Sequence, residues 1–125
     1  MKIPQQYTGL MPYLIVKNSV EFMTFMQTVF NAEEQMKVLD EHGSIMHGEL
    51  KIQDSVLMFA EAGEQFPVMN AGMFIYVDNA DETYQKAIRA GATTVPGQEP
   101  SNKEYGRACG VTDPFGNTWW ITSVL

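Results

Sequence analysis

Phe22, Phe25, Met26, Val29 and Phe30 recur at i, i+3, i+4, i+7 and i+8. That is one broad apolar stripe on a helix over Ser19–Phe30, and such a stripe must pack on a sheet. Asn31 follows where a left-handed stop is expected. Ahead of the stripe stands a continuous apolar run of strand length, Tyr13-Leu14-Ile15-Val16. Behind it come three further strand-like runs, Gln35–Leu39, Ile45–Ile52 and Val56–Ala60, with turn formers in Asp40–Gly43 and Gln53–Ser55 between them. The first half therefore reads βαβββ.

The second half repeats the theme. Tyr13-Leu14-Ile15-Val16-Lys17-Asn18-Ser19-Val20-Glu21 is echoed by Phe74-Ile75-Tyr76-Val77-Asp78-Asn79-Ala80-Asp81-Glu82. In each copy an apolar run is followed by Asn and, three residues on, by Glu. That spacing predicts a helix start in which the Asn side chain accepts from a first-turn amide and the Glu answers it. A strand near Met73–Val77 and a helix over about Ala80–Ala90 follow, with Gly91 as the stop. Pro96-Gly97-Gln98-Glu99-Pro100 cannot form a central strand and reads as an edge or flap. Strands near Arg107–Thr112 and Thr118–Val124 close the repeat, joined by Asp113-Pro114-Phe115-Gly116-Asn117, whose Asp, Pro and Gly suit a type I turn. The prediction is an α+β domain of two βαβββ repeats, about residues 7–62 and 70–125. The Gly63–Gly72 linker is too short to separate domains. Two related half-sheets facing each other would make a groove, and function is sought there.

Composition narrows the partners. At 125 residues with 45% hydrophobic positions, the chain supports one core. Its net charge of −7 argues against a nucleic-acid backbone as partner, which needs clustered Lys and Arg; it is compatible with a cationic ligand, and acidic charge that simply keeps the protein soluble is the plainer reading. Cys109 is the only cysteine, so no intrachain disulfide forms and a reducing compartment is expected. No signal-like segment and no apolar run of membrane-spanning length is present, so a cytoplasmic protein without membrane contact is expected.

The paired βαβββ pattern and the Asp113-Pro114-Phe115-Gly116-Asn117 turn before a tryptophan-bearing last strand resemble the glyoxalase, bleomycin-resistance and extradiol-dioxygenase superfamily, also called vicinal oxygen chelate. Pro12-Tyr13-Leu14, Met46-His47-Gly48-Glu49-Leu50 and Asp113-Pro114-Phe115-Gly116 look most like the branch named for an accessory protein of phosphonate operons. The resemblance implies a half-barrel mixed sheet with helices on its outer face. Metal-dependent members hold a divalent ion with His or Gln, His and Glu. Carried over position by position, those ligands fall on Met11, Gly72, Trp120 and, in the first repeat, Met58 or Phe59. Thioether, indole and glycine cannot serve a hard divalent ion. The usual metal centre is therefore expected to be absent, and no cofactor is implied.

Strand alternation then assigns a groove lining. If Met11 and Trp120 face it, so do Tyr13, Thr118 and Thr122, with Phe74 and Tyr76 from the other repeat, an aromatic and adaptable wall to which Met58 is added. Tyr105 and Arg107 are placed at the rim, Arg107 either for an anionic group or paired with one of the chain's fifteen acidic residues. His47 and Glu49, two apart on one strand, point the same way and form a candidate proton-transfer pair; a solvated strand face with a chance histidine remains the other reading. Met46, Leu50 and Ile52 are assigned to the helix-packed face. Cys109 reads as a buried structural thiol. No phosphate loop, nucleophile elbow or CxxC motif is present.

These residues point first to metal-independent binding of a small aromatic or cationic molecule. The alternative is a lyase, isomerase or dioxygenase-type enzyme that uses His47 and Glu49 or an atypical metal site. A homodimer is expected, because the exposed aromatic and Met positions form a larger apolar patch than monomers tolerate.

Overall fold

The computed structural model describes residues 1–125 and divides them into two compact units, Met1–Met69 and Asn70–Leu125. The first contains β1 (Tyr13–Val16), α1 (Ser19–Phe30), β2 (Glu33–Leu39), β3 (Ile45–Ile52) and β4 (Ser55–Glu61). Its sheet runs β1-β4-β3-β2, with β1 parallel to β4 and the other neighbours antiparallel. The apolar stripe of α1 buries Phe22, Phe25, Met26, Val29 and Phe30, as its period requires. Phe22 meets Phe59 edge-on, with ring centroids 5.0 Å apart at 65°. Phe59 in turn covers Gly48, its partner on β3, leaving no room for a Cβ there. Asn31 closes the helix in the left-handed region at φ 56°, as expected.

The start of α1 differs from the expectation. Asn18 is itself left-handed and its side chain makes no cap. Glu61, at the end of β4, does the capping instead. Its carboxylate accepts from the Asn18 and Ser19 amides at 3.1 and 2.9 Å and from Ser19 Oγ at 2.6 Å. A carboxylate at a helix N-terminus answers both the orphan amides and the positive end of the dipole. Ser19 Oγ then accepts from the Ile45 amide at 2.9 Å, tying helix, β3 and β4 at one buried point.

The β2–β3 ladder slips twice, between Glu34 and Met36 and between Val38 and Leu39. The second slip skips Met46, because Val38 faces His47 while Leu39 faces Ile45. Ile45 thus takes the buried position and Met46 lies exposed, a correction to simple alternation. The first slip leaves Gln35 as an extra residue, with a consequence for the site.

The second unit contains β5 (Gly72–Tyr76), α2 (Ala80–Arg89), β6 (Thr93–Thr94), β7 (Ser101–Lys103), β8 (Gly106–Thr112) and β9 (Thr118–Ser123). Strand order is β5-β9-β8-β6, and β7 also pairs with β8. The Pro/Gly stretch therefore interrupts one edge strand into two short pieces, as its composition demands. Here the cap is as anticipated: Asn79 Oδ1 accepts from the Glu82 amide at 3.0 Å. α2 lays the small residues Ala80, Thr83 and Ala87 inward, and the sheet answers with Cys109, Val111, Trp119 and Ile121, all buried. Asp113 anchors the turn before β9. It accepts from the Phe115 and Asn117 amides and, through Oδ2, from the Trp119 indole at 2.9 Å. No helix is long and apolar enough to cross a membrane. The fold is α+β, a βαβββ arrangement used twice with an interrupted edge in the second copy.

Candidate functional site

The sheet of the first unit turns one face to α1; its other face carries a connected polar group. β3 places His47 and Glu49 two residues apart on that face, as strand alternation requires. Glu49 is buried, at 2% exposure, and both of its carboxylate oxygens are hydrogen-bonded. Tyr7 Oη donates to Oε2 at 3.0 Å, Gln35 Nε2 donates to Oε1 at 3.0 Å, and His47 Nε2 lies 2.9 Å from Oε2. Burial opposes the charge on Glu49, but the hydrogen bonds from Gln35, His47 and Tyr7, with the imidazole alongside, outweigh it and hold the carboxyl below the usual glutamate range. The same bond holds the Tyr7 phenol above its ordinary value, because the proton it donates is the one the carboxylate needs.

His47 is held on its other side as well. Tyr13 Oη stands 3.1 Å from Nδ1, and the two rings are 5.7 Å apart at 37°. With an ionised Glu49 facing Nε2, the neutral imidazole places its hydrogen on Nε2 and leaves Nδ1 to accept the Tyr13 proton. A chain of three groups results, Glu49–His47–Tyr13, ending on a phenol that is 45% exposed. Met58 joins this face, facing Tyr13 on one side and Glu49 on the other. Met11, half-buried, precedes β1 by two residues.

Tyr7 and Gln35 escape sequence reasoning. Tyr7 lies in an irregular N-terminal segment, 42 residues from its partner. Gln35 sits at the ladder slip, where an extra residue departs from strict alternation.

The second unit presents aromatic surface. On β9, Trp119 is buried and Trp120 is 38% exposed on the opposite face, as the alternation predicts. Trp120 faces Phe74 across the parallel β5–β9 pair and lies over Gly110 of β8. Phe74 packs edge-on against Tyr76 at 5.2 Å and tilted against Tyr105 at 6.2 Å. Phe74, Tyr76, Tyr105 and Trp120 are thus brought together on one open face. Thr122, which faces Tyr76 in the ladder, is buried beneath it with an Oγ1 that makes no hydrogen bond.

Arg107 is not among them. Its ladder partner is Ser123, on the helix side of the sheet, and its guanidinium forks onto Asp81 of α2 at 3.0 Å on both oxygens. Asn102 takes a third bond at 3.2 Å. The fork holds the Asp81 carboxyl below its ordinary value.

The positions that correspond to metal ligands do not fit a metal. Met11, Gly72, Met58 and Trp120 offer no imidazole or carboxylate, and Phe59 is packed under α1. No group of three or more His, Cys, Asp or Glu side chains is arranged to hold a metal ion.

The paired βαβββ units, the Asp113 turn and the two open faces define a protein of the glyoxalase type. The model of the Glyoxalase/Bleomycin resistance protein/Dioxygenase superfamily matches residues 6–121, and the chain belongs to that family. An uncharacterized protein of Mycobacterium bovis is 28% identical over 123 residues, covering 89% of this chain and 80% of its own. The crystal structure of TioX from Micromonospora sp. ML1 superimposes with a TM-score of 0.75 at 22% identity, over 94% of this chain and 99% of that one. TnmS3, an antibiotic binding protein from Streptomyces sp. CB03234, gives 0.71 at 15% identity, over 95% and 100%. At these identities the solved structures speak for the fold alone.

Proposed function

We propose that this protein binds a small planar aromatic molecule, preferably a cation, by stacking on Trp120 and its aromatic neighbours, without a metal. The observation that carries the reading is the open face of Phe74, Tyr76, Tyr105 and Trp120. Clustered exposed aromatics on a rigid sheet offer large contact area at little entropic cost. The −7 net charge and the electron-rich ring faces favour a cation over an anion. A fold neighbour that binds an antibiotic is in keeping with this use of the scaffold.

Met11, Tyr13 and Met58 belong to the proposed lining of the first unit, whereas Arg107, committed to Asp81, contributes through the edge strand it anchors. Within the family we place the chain in the branch named for the phosphonate-operon accessory protein, on Pro12-Tyr13-Leu14 and Met46-His47-Gly48-Glu49-Leu50. We also propose a cytoplasmic homodimer, supported by the exposed Met36, Val38 and Leu39 on the edge strand β2. Light scattering that gives a 14.1 kDa particle at micromolar concentration would refute the dimer.

The binding reading is tested by calorimetry with acridine orange, a planar cation, and 8-anilinonaphthalene-1-sulfonate, an anion. Saturable binding with the cation about tenfold tighter supports it. Absence of binding to both dyes, or preference for the anion, contradicts it.

A further inference from the structure

We propose that Glu49, His47 and Tyr13 form a relay that makes Tyr13 a nucleophilic hydroxyl, able to take an acyl group from an activated ester. The site lies in the first unit and shares only Tyr13 with the proposed ligand lining, while the aromatic face of Trp120 that carries the ligand reading belongs to the second. Three observations carry it. The groups are in hydrogen-bond sequence: Tyr13 Oη to His47 Nδ1 at 3.1 Å, and His47 Nε2 to Glu49 Oε2 at 2.9 Å. The far end is fixed, because Tyr7 and Gln35 hold the buried Glu49 carboxylate at both oxygens. The near end is open, because the Tyr13 side chain is among the more exposed aromatics of the chain.

This is the order of roles that activates hydroxyl nucleophiles elsewhere, a buried carboxylate orienting an imidazole that accepts the hydroxyl proton. Here a phenol takes the nucleophile's place. In the step, Tyr13 Oη attacks the ester carbonyl carbon as its proton passes to His47 Nδ1. The imidazolium is held by the Glu49 carboxylate at Nε2. The tetrahedral adduct then breaks its bond to the leaving alcohol, which carries away the proton from Nδ1. The net result is an acylated Tyr13 and a free alcohol. Tyr13 is the reacting group and His47 its base, while Glu49, Tyr7 and Gln35 are positioning residues. The carboxylate is buried and meets three donors, and these observations favour the relay over a solvated strand face with a chance histidine.

The test is p-nitrophenyl acetate with the full chain, followed by peptide mass spectrometry. Tyr105, at 58% exposure, is the internal reference, being no less accessible than Tyr13. Tyr13 is expected to be acetylated on the order of a hundredfold faster than Tyr105. His47→Gln is expected to bring Tyr13 to the Tyr105 rate while Tyr105 is unchanged. Equal rates for the two tyrosines in the natural chain would overturn the proposal, and that comparison needs no variant to fold. So would a fast Tyr13 that His47→Gln leaves fast.

Discussion

The indole of Trp120 lies over Gly110, its ladder partner on β8, so closely that a Cβ on Gly110 would stand 2.5 Å from the ring. A bare backbone under the ring gives Trp120 a fixed seat while its outer face stays open, which is what a stacking surface requires. Gly110→Val is therefore expected to push the indole from its seat. We predict a loss of acridine orange affinity of about tenfold, at modest cost in stability. Unchanged affinity in Gly110→Val would mean that the seat is irrelevant to binding.

The two tryptophans should separate cleanly in stability. Trp119 is buried and donates to Asp113, so Trp119→Ala is expected to cost about 3–5 kcal/mol in urea unfolding. Trp120 is already 38% exposed, so Trp120→Ala should cost less, about 1 kcal/mol. The reverse order would contradict the register of β9.

Glu61 is expected to act as the cap of α1 in place of Asn18. Glu61→Gln keeps the shape but weakens three charge-assisted bonds, and a loss of about 1–2 kcal/mol is predicted. Asn18→Gly, which keeps the left-handed backbone at φ 60°, should lose little, since the Asn18 side chain caps nothing. Paired urea titrations of the two variants check the assignment.

The polar group around Glu49 predicts a pH dependence. Its folded-state pKa is depressed, so its stabilisation is present above the ordinary glutamate range and is lost as pH falls through the lower, folded value. Tyr7 is shifted upward, so its contribution is present below its ordinary value of 10.0 and disappears as pH rises through the higher, folded one. Urea midpoints measured against pH should show the acid limb flattened in Glu49→Gln and the alkaline limb flattened in Tyr7→Phe. An acid limb identical in Glu49→Gln and the natural chain would show that another carboxylate governs it.

Cys109 is buried, and burial pushes its thiol up to about 11. It should resist iodoacetamide near neutral pH in the folded protein and react promptly in urea. Fast alkylation of the native state would contradict the packing of β8.

Much of this was legible in the chain because it rests on period and on turn chemistry. The α1 stripe, the alternation that splits Trp119 from Trp120, and the pairing of His47 with Glu49 on one face all follow from local spacing. What escaped was long-range or irregular. The Glu61 cap joins residues 42 and 43 positions apart, so a local capping pattern at Asn18 misled. Gln35 and Met46 sit at ladder slips, where the rule of two fails. Tyr7 reaches Glu49 from a segment without periodicity, and although an acidic partner for Arg107 was legible, which one was not, because Asp81 lies on a helix whose docking the sequence does not state.

The most direct measurement of the central claim is the indole N–H spectrum of the protein during titration with acridine orange. Two tryptophans give two signals, and Trp120→Phe assigns them. Trp120 is expected to shift progressively to saturation while Trp119, held by Asp113, stays in place. Movement of the Trp119 signal with Trp120 unmoved, or saturable binding that Trp120→Ala leaves intact, would contradict the account.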